Sequence, residues 1–535
     1  MMRFGKVSFL LFLFEIYFQS ACGENLFVYP DVFNDTDRDL FEVGSFPNDF
    51  QFGVATSAYQ VEGGWNVDGK GVNIWDTWTH PPLSPVYQHQ TGDDTDKSYY
   101  LWERDIQLIK DLGAKFYRYS ISWARILPRG VYETEDDINW AGVYFYNETI
   151  NNLTRAGIEP MVTLFHWDLP QALQNKGGSI VPELSDWFAT YAELCFRLFG
   201  DRVKTWITFN EPKSVAICYE LAECAPGILK IGVGYYLVLH YQLLGHQKAW
   251  HIYDQKYRSS QQGIVGITVN GGWAIPFSDS QADIDAANRE MELKLGSLLS
   301  PLVGTGNYPQ VMIDSIGNRS LQQGFNESRL PKFTAEEQKL LLGATDFVGI
   351  NYYTASVCKA ANFPTSRIPR MFNDQDVYKF QLPEWPKSAS SWLKSVPYGL
   401  RKILKWVKSK YNYGNKAIYL TENGFSDWPR SCNDSLDVNK TQYIVAHLNE
   451  LYKLIKHDKI NVKRYTLWSL IDNFEWIDGF SKKFGVFCVD FDDSERTRVS
   501  RYSSKIFSEI ITNNGFDNSS LIKNLNDNNI LTAVS

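Results

Sequence analysis

The chain has 535 residues, 44% of them hydrophobic and 15% aromatic, and a formal net charge of −8. That balance leaves no basic face for phosphates and so excludes a nucleic-acid partner. At roughly 150 residues per domain the length suggests three or four domains. No Pro/Ser/Gly-rich linker, low-complexity tract or repeat divides it, so one decorated unit is the better reading.

Arg3 and Lys6 precede a mostly apolar run, Val7–Phe18, and small residues follow at Ser20, Ala21, Cys22 and Gly23. This pattern predicts a secretory signal peptide over residues 1–23, with Glu15 as a blemish in its apolar run. No other stretch is long and apolar enough to span a membrane, so no stable membrane insertion is expected. Residues 24–45 read as a polar, acidic N-terminal arm, 46–510 as the folded unit and 511–535 as a C-terminal tail. Eight Asn-X-Ser/Thr sequons start at Asn34, Asn147, Asn152, Asn318, Asn326, Asn433, Asn439 and Asn518, in keeping with a secreted glycoprotein. Of seven Cys, six lie beyond the leader: Cys195, Cys218, Cys224, Cys358, Cys432 and Cys488. Six allow 15 pairings. Cys218 and Cys224 flank a short loop and are the first choice for a bridge. Neither zinc-finger spacing nor a His-Glu-x-x-His is present, so no metal and no cofactor are expected.

In chain order, strands are predicted over Phe50–Ala55, Lys115–Ser122, Glu159–Phe165, Thr205–Glu211, Gly263–Asn270, Asp346–Asn351, Ala417–Glu422 and Arg464–Ser469. Helical spacing places helices between them, at Tyr99–Leu112, Ala141–Arg155, Trp187–Phe199 and Tyr235–Tyr253. Strand–helix alternation predicts a parallel sheet with right-handed crossovers. Eight such strands close into an α/β fold, a single (β/α)8 TIM barrel with long decorating loops. Polar and aromatic residues gather after the first, third, fourth, sixth, seventh and eighth strands, at the face where such barrels keep their sites. Two of those strands end in a glutamate. Ala417–Gly424 runs Ala-Ile-Tyr-Leu-Thr-Glu-Asn-Gly, and Thr205–Pro212 runs Thr-Trp-Ile-Thr-Phe-Asn-Glu-Pro. A buried carboxylate is costly without partners, so each is expected to face a cleft.

Thr-Phe-Asn-Glu-Pro at 208–212 and Tyr-Leu-Thr-Glu-Asn-Gly at 419–424 resemble the two active-site signatures of glycoside hydrolase family 1. The resemblance covers roughly Phe46 to Tyr502 and is nearest to insect secreted β-glucosidases. It implies a secreted, extracellular retaining β-glucosidase acting on a small-molecule β-glucoside, as a monomer or dimer. Retention needs two carboxyls ~5–5.5 Å apart, one attacking and one donating and then taking a proton. By resemblance Glu422 is the nucleophile and Glu211 the acid/base. Arg118 resembles the Arg that pairs with the nucleophile. Tyr353 is expected to hydrogen-bond Glu422 with Asn351 nearby, and Asn210 to reach the sugar 2-hydroxyl. The sugar cup is drawn from Gln60, His166, Trp167, Trp468, Glu475, Trp476 and Phe484, with Trp468 as stacking floor. Glu475 and Gln60 are expected to read the 4- and 6-hydroxyls. The charge of Glu475 argues against a phosphorylated sugar.

Some positions depart from the family pattern. Gly177-Gly178-Ser179 stands where Gly-Gly-Trp is usual, Cys218-Tyr219 where Gly-Tyr is usual, and Lys213 directly follows Pro212. All three are expected on the aglycone side. A thioglucosidase (myrosinase) that cleaves glucosinolates is the alternative reading. Plant myrosinases carry Gln in place of the acid/base, whereas Glu211 is present here. An insect myrosinase binds sulfate through a Lys six residues after the acid/base and an Arg three after the sixth-strand Tyr. Those positions are Ile217 and Ser356, leaving Lys213 or Lys359 as candidate cations. A third reading, a catalytically inactive family-1-like binding protein, is opposed by the presence of both glutamates.

Overall fold

The computed structural model describes residues 40–531 apart from 82–83, 412, 415, 429–430, 433, 435 and 529. The leader, most of the arm, Cys22, Asn34 and Asn433 lie outside the described residues. Eight strands form a closed barrel: β1 (Gln51–Ala55), β2 (Phe116–Ser120), β3 (Glu159–Phe165), β4 (Thr205–Asn210), β5 (Ile264–Asn270), β6 (Val348–Asn351), β7 (Ile418–Asn423) and β8 (Val462–Trp468). Each pairs in parallel with its sequence neighbours, and β8 closes on β1. Every residue of β2, β4 and β7 is buried, as strands walled in on both faces must be.

The main outer helices are α1 (Ser98–Leu112), α2 (Trp140–Arg155), α3 (Leu184–Phe199), α4 (Gly234–Ile252), α5 (Gln281–Met291), α6 (Pro397–Lys410), α7 (Val438–Lys456) and α8 (Tyr502–Thr512). Each of the first three buries one stripe of apolar residues, such as Ile106, Ile109 and Leu112 on α1, against the barrel. Beyond β5 and β6 the chain adds a three-stranded outer sheet, Trp273–Pro276, Ala355–Ala360 and Val377–Phe380.

Phe116, Met161, Ile207, Phe347 and Tyr419 pack together in the early half of the barrel strands and plug that end. The Arg464 guanidinium lies over the Phe116 and Tyr419 rings, 5.0 and 4.9 Å from their centroids, and pairs with Glu159 at 2.7 Å. With this end filled, a ligand can enter only past the strands' C-terminal ends.

The differences from the predicted elements have physical causes. Strand β4 stops at Asn210: Glu211 turns into the left-handed region (φ 51°), and Pro212 opens a short helix, Pro212–Cys218. Strand β7 runs one residue past Glu422 because Asn423 still pairs with Leu467. Strand β6 starts only at Val348. Asp346 instead accepts from the Val265 backbone N–H and from Arg258. Within the expected tail the described residues pack on the body: α8 crosses residue 511, and a further helix, α9 (Ser519–Asp527), buries Leu521 and Leu525. Ser45 from the end of the arm bridges Gly515, and Phe41 meets Phe516 edge-on. Cys218 pairs with Cys224 as expected and Cys432 with Cys488, while Cys195 and Cys358 are buried thiols. Among the described residues no helix is long and apolar enough to cross a membrane.

Gly424 ends the β7 turn against the Trp468 backbone. A Cβ there would lie 1.8 Å from the Trp468 carbonyl oxygen, which cannot swing aside like a flexible side chain. Gly424→Ala is therefore expected to cost about 1–3 kcal/mol of stability by overpacking. Denaturant unfolding checks this, and a loss of turnover should accompany it because Glu422 and Trp468 must move apart.

Candidate active site

The barrel register brings the polar strand ends to one level. Asn270 lies opposite Asn351, Asn351 opposite Glu422, and Ala55 opposite both Arg118 and Trp468. The ladders are irregular where the glutamates emerge: between Leu420 and Glu422 beside β6, and between Ile207 and Asn210 beside β5. Such irregularities re-aim side chains. Non-glycine residues with left-handed backbone also gather here, at Trp167, Glu211 and Trp476.

Glu211 and Glu422 line one cavity of about 490 Å³. Around it runs a continuous chain of hydrogen bonds. Arg118 Nη1 donates to Glu422 Oε1 at 2.5 Å and to the Thr421 carbonyl at 3.0 Å. Its Nη2 donates to Asn210 Oδ1 at 2.6 Å. Asn351 Nδ2 donates to the same Asn210 oxygen (3.2 Å) and to Glu211 Oε1 (2.6 Å). Tyr353 OH donates to Glu422 Oε2 at 2.7 Å, and Ser214 Oγ donates to Glu211 Oε2 at 2.7 Å. Glu422 thus sits against a buried guanidinium and a phenol. Glu211 has only neutral groups bonded to it, and burial together with the nearby Glu422 charge pushes its carboxyl up to about 7. The two carboxyls occupy opposite electrostatic surroundings, the pattern that divides attack from proton transfer.

His166 Nε2 accepts from Asn210 Nδ2 at 3.1 Å, which places the ring proton on Nδ1. Burial and the neighbouring Arg118 hold this imidazole well below its usual range, hence neutral. Its buried Nδ1 has no protein partner and is free to donate to a sugar hydroxyl. Trp167 Nε1 donates to the Asn210 carbonyl at 3.0 Å. Trp468 stacks on the His166 ring at 5.7 Å, Trp167 lies 4.5 Å from Trp476, and Phe484 meets Tyr353 edge-on at 6.2 Å. An aromatic box with polar groups at its corners is a cup for a pyranose, which has apolar faces and a hydroxyl rim.

The expected residues therefore meet around one cavity, with corrections. Asn351 bonds Glu211 rather than only standing near Glu422. Gln60 is fully buried behind the wall; its amide donates to Asn473, Phe474 and, at 3.4 Å, Glu475, and accepts from Ser57. Burial, Asp478 and Glu422 push the Glu475 carboxyl up to about 8, which removes the charge argument against a phosphorylated sugar. The 177–179 departure is not on the cavity wall: Gly178 and Ser179 are buried, and the Ser179 N–H donates to Tyr219 OH at 3.1 Å. Lys213 and Ile217 do line the cavity.

Sequence reasoning missed Ser214, Asn270, Trp392 and Cys224, all on the cavity wall. Asn270 carried a usable signal, a polar residue ending an apolar strand. Ser214 follows Glu211 by three residues in the next helix, where side chains share a face. Trp392 lies in a loop with no local pattern. Among the sequons, Asn318, Asn326 and Asn439 are exposed. Asn147 accepts from Arg202, Asn152 Nδ2 donates to the Glu148 carbonyl, and Asn518 caps α9, so these three amides are already engaged. No cluster of His, Cys, Asp or Glu that could hold a metal occurs among the described residues.

Tyr353→Phe removes one donor from Glu422 and leaves the ring packing. A hydrogen bond to a charged group is worth ~1.5–3 kcal/mol. A kcat loss of about 10- to 100-fold is therefore expected if that bond acts in the transition state, with an unchanged melting curve; steady-state kinetics and thermal unfolding check it.

The pattern of Glycosyl hydrolase family 1 matches residues 42–516. The chain is 41% identical over 476 residues to the Cytosolic beta-glucosidase of Homo sapiens, covering 88% of this chain and 99% of that protein. It is 41% identical over 471 residues to Myrosinase 1 of Brevicoryne brassicae, covering 87% of this chain and 98% of that one. The solved structure of aphid myrosinase superposes with a TM-score of 0.83 at 39% identity, covering 88% of this chain and all of that one.

Proposed function

The chain belongs to glycosyl hydrolase family 1, and on that premise we propose that this β-glycosidase is a retaining O-β-glucosidase. The observation that carries the proposal is the unlike pair of carboxyls on one cavity. Glu422, aligned by Arg118 and Tyr353, attacks the anomeric carbon and forms a covalent glucosyl-enzyme. Glu211, pushed up to about 7, protonates the departing oxygen and then takes a proton from the incoming water. His166, Asn210 and Glu475 hold the hydroxyl rim, and Trp468 with Trp476 covers the ring faces.

Retention predicts β-glucose as the first product, before mutarotation, in a proton NMR time course. α-Glucose appearing first would overturn the double displacement. Glu422→Ala should abolish turnover, which also separates the enzyme from a binding protein. Because the donor is the protonated carboxyl, kcat/KM for an alkyl glucoside should be intact below and fall as pH rises through about 7. Glu211→Ala should flatten that limb and cost 10²- to 10⁴-fold on alkyl glucosides. An aryl glucoside with an acidic leaving group should lose far less.

The O-glucoside reading over the thioglucoside one is supported by Glu211 itself, a donor that a thiohydroximate leaving group does not need. Ile217 puts an apolar chain on the aglycone wall, and Ser356 does not line the cavity. Lys359 lies 4.8 Å from the Phe277 ring centroid rather than on the cavity wall, leaving Lys213 as the cation there. Side-by-side turnover of an aryl β-glucoside and a glucosinolate is expected to show the first cleaved and the second untouched. We also infer secretion from the apolar leader, the sequons and the two disulfides, which persist in oxidising compartments. N-terminal sequencing of protein recovered from the medium of a eukaryotic host should then begin between residues 22 and 24.

A further inference from the structure

Lys213 is unexplained by the steps above, yet it lines the catalytic cavity two residues after Glu211. Its Nζ donates to the Asn270 carbonyl at 2.9 Å. Asn270 Nδ2 donates to Ser214 Oγ at 2.9 Å, and Ser214 Oγ donates to Glu211 Oε2 at 2.7 Å. The three residues form a bracket on the side of Glu211 away from Asn351. Asn351 offers Glu211 an amide that can only donate. Ser214 offers a hydroxyl that can donate to the carboxylate or accept from the carboxyl, so it accommodates both protonation states. We propose that Lys213 is a positioning residue for the proton donor, fixing Asn270 and Ser214 against Glu211 and setting the pH range in which Glu211 holds its proton. This rests on the reading of Glu211 as the acid/base.

The charges around the bracket give the direction. Glu211 is faced by Glu422 from β7, by Tyr353 beyond β6 and by Glu475 beyond β8. On the other side Lys213 is faced by Glu290 and Lys294 at the end of α5 and by Lys379 from the outer sheet. Glu290 is fully buried and already shared, at 2.7 Å from Lys294 and 2.9 Å from Lys379. The pocket behind Lys213 therefore holds two ammoniums and one carboxylate, and Lys213 is surplus to it. On the cavity side the nearby carboxyl that acts on this ammonium is Glu211. Burial and Lys294 push the Lys213 ammonium down, while burial and Glu422 push the Glu211 carboxyl up. An ammonium here favours the Glu211 carboxylate; without it the carboxyl keeps its proton to higher pH.

The test compares pH profiles of kcat/KM for an alkyl β-glucoside in wild type, Lys213→Met and Lys213→Arg. Lys213→Met should move the alkaline limb up by about one unit, the shift expected for removing a nearby opposite charge. Lys213→Arg, a cation that does not titrate, should leave the limb at or below the wild-type position. The opposite directions cannot come from a general loss of packing. Carbon-13 NMR of glutamate-labelled protein, with Glu211→Gln to assign the resonance, should show the same shift in the Glu211 carboxyl itself. A Glu211 titration unchanged in Lys213→Met overturns the inference. So does a raised KM with an unmoved limb, which would make Lys213 an aglycone contact. Wild-type protein that turns over no β-glucoside would instead overturn the functional reading, and the NMR titration still decides the role of Lys213.

Discussion

Everything in the site depends on keeping two carboxyls in one closed cavity without letting them behave alike. Burial and the charge of Glu422 both push the Glu211 carboxyl up. The protein breaks the symmetry with one buried cation. Arg118 reaches Glu422 with one nitrogen and Asn210 with the other, so the charge lies on the Glu422 side and only an amide dipole continues towards Glu211. Asn210 is the hinge of this arrangement: one oxygen accepts from Arg118 and Asn351, its nitrogen reaches His166, and its carbonyl holds Trp167. A single side chain thereby ties the reacting groups to the sugar cup.

The barrel makes that arrangement possible by separating the work of its two ends. The early half of the strands is filled with Phe116, Met161, Ile207, Phe347 and Tyr419, stitched by Arg464. This plug supplies burial that needs no loop. The late half can then carry Arg118, Asn210, Asn351 and Glu422, which contribute little to a hydrophobic core and cost desolvation unless fully bonded. Ladder irregularities and left-handed residues lie at this end because regular strands would point alternate side chains away from the cavity.

The fold was legible because each barrel strand is a short apolar run ending in a turn or polar residue, and the helices between carry a 3.6-residue stripe. The glutamates were legible for the same reason: Glu422 and Glu211 break apolar runs at their ends. What local pattern could not show was pairing across the barrel. Asn351 does lie beside Glu422, as expected, but its amide also reaches Glu211, a contact that depends on β6 being flanked by β5 and β7. Gln60 was placed in the sugar cup by resemblance, and its amide here donates to Asn473, Phe474 and Glu475. The 177–179 departure looked functional in sequence and is a buried turn under Tyr219. Asp346 was counted as strand and is a cap for its neighbours. Each miss is a tertiary contact overriding a correct local reading.

The mouth of the cavity follows different rules from its base. Groups at the base come from strand ends whose positions the closed register fixes, so their geometry tolerates little change. The cavity wall also includes Lys213, Ile217 and Cys224, and Trp392 and Ile477, the last two nearly half exposed. Lys213 and Ile217 sit on the short helix after Glu211, whose last residue is tied to Cys224 by the Cys218–Cys224 bridge, while Trp392 and Ile477 come from segments outside the barrel strands. Relatives with unlike names, a cytosolic β-glucosidase and a myrosinase, are equally similar to this chain, so overall identity does not rank their activities here. The physical distinction lies in how much help the leaving group needs. In the proposed O-glucosidase the departing oxygen takes the Glu211 proton, whereas a glucosinolate would bring a sulfate for a cation to hold. Lys213 stands where those two demands meet, and its bond to Asn270 directs it towards the first.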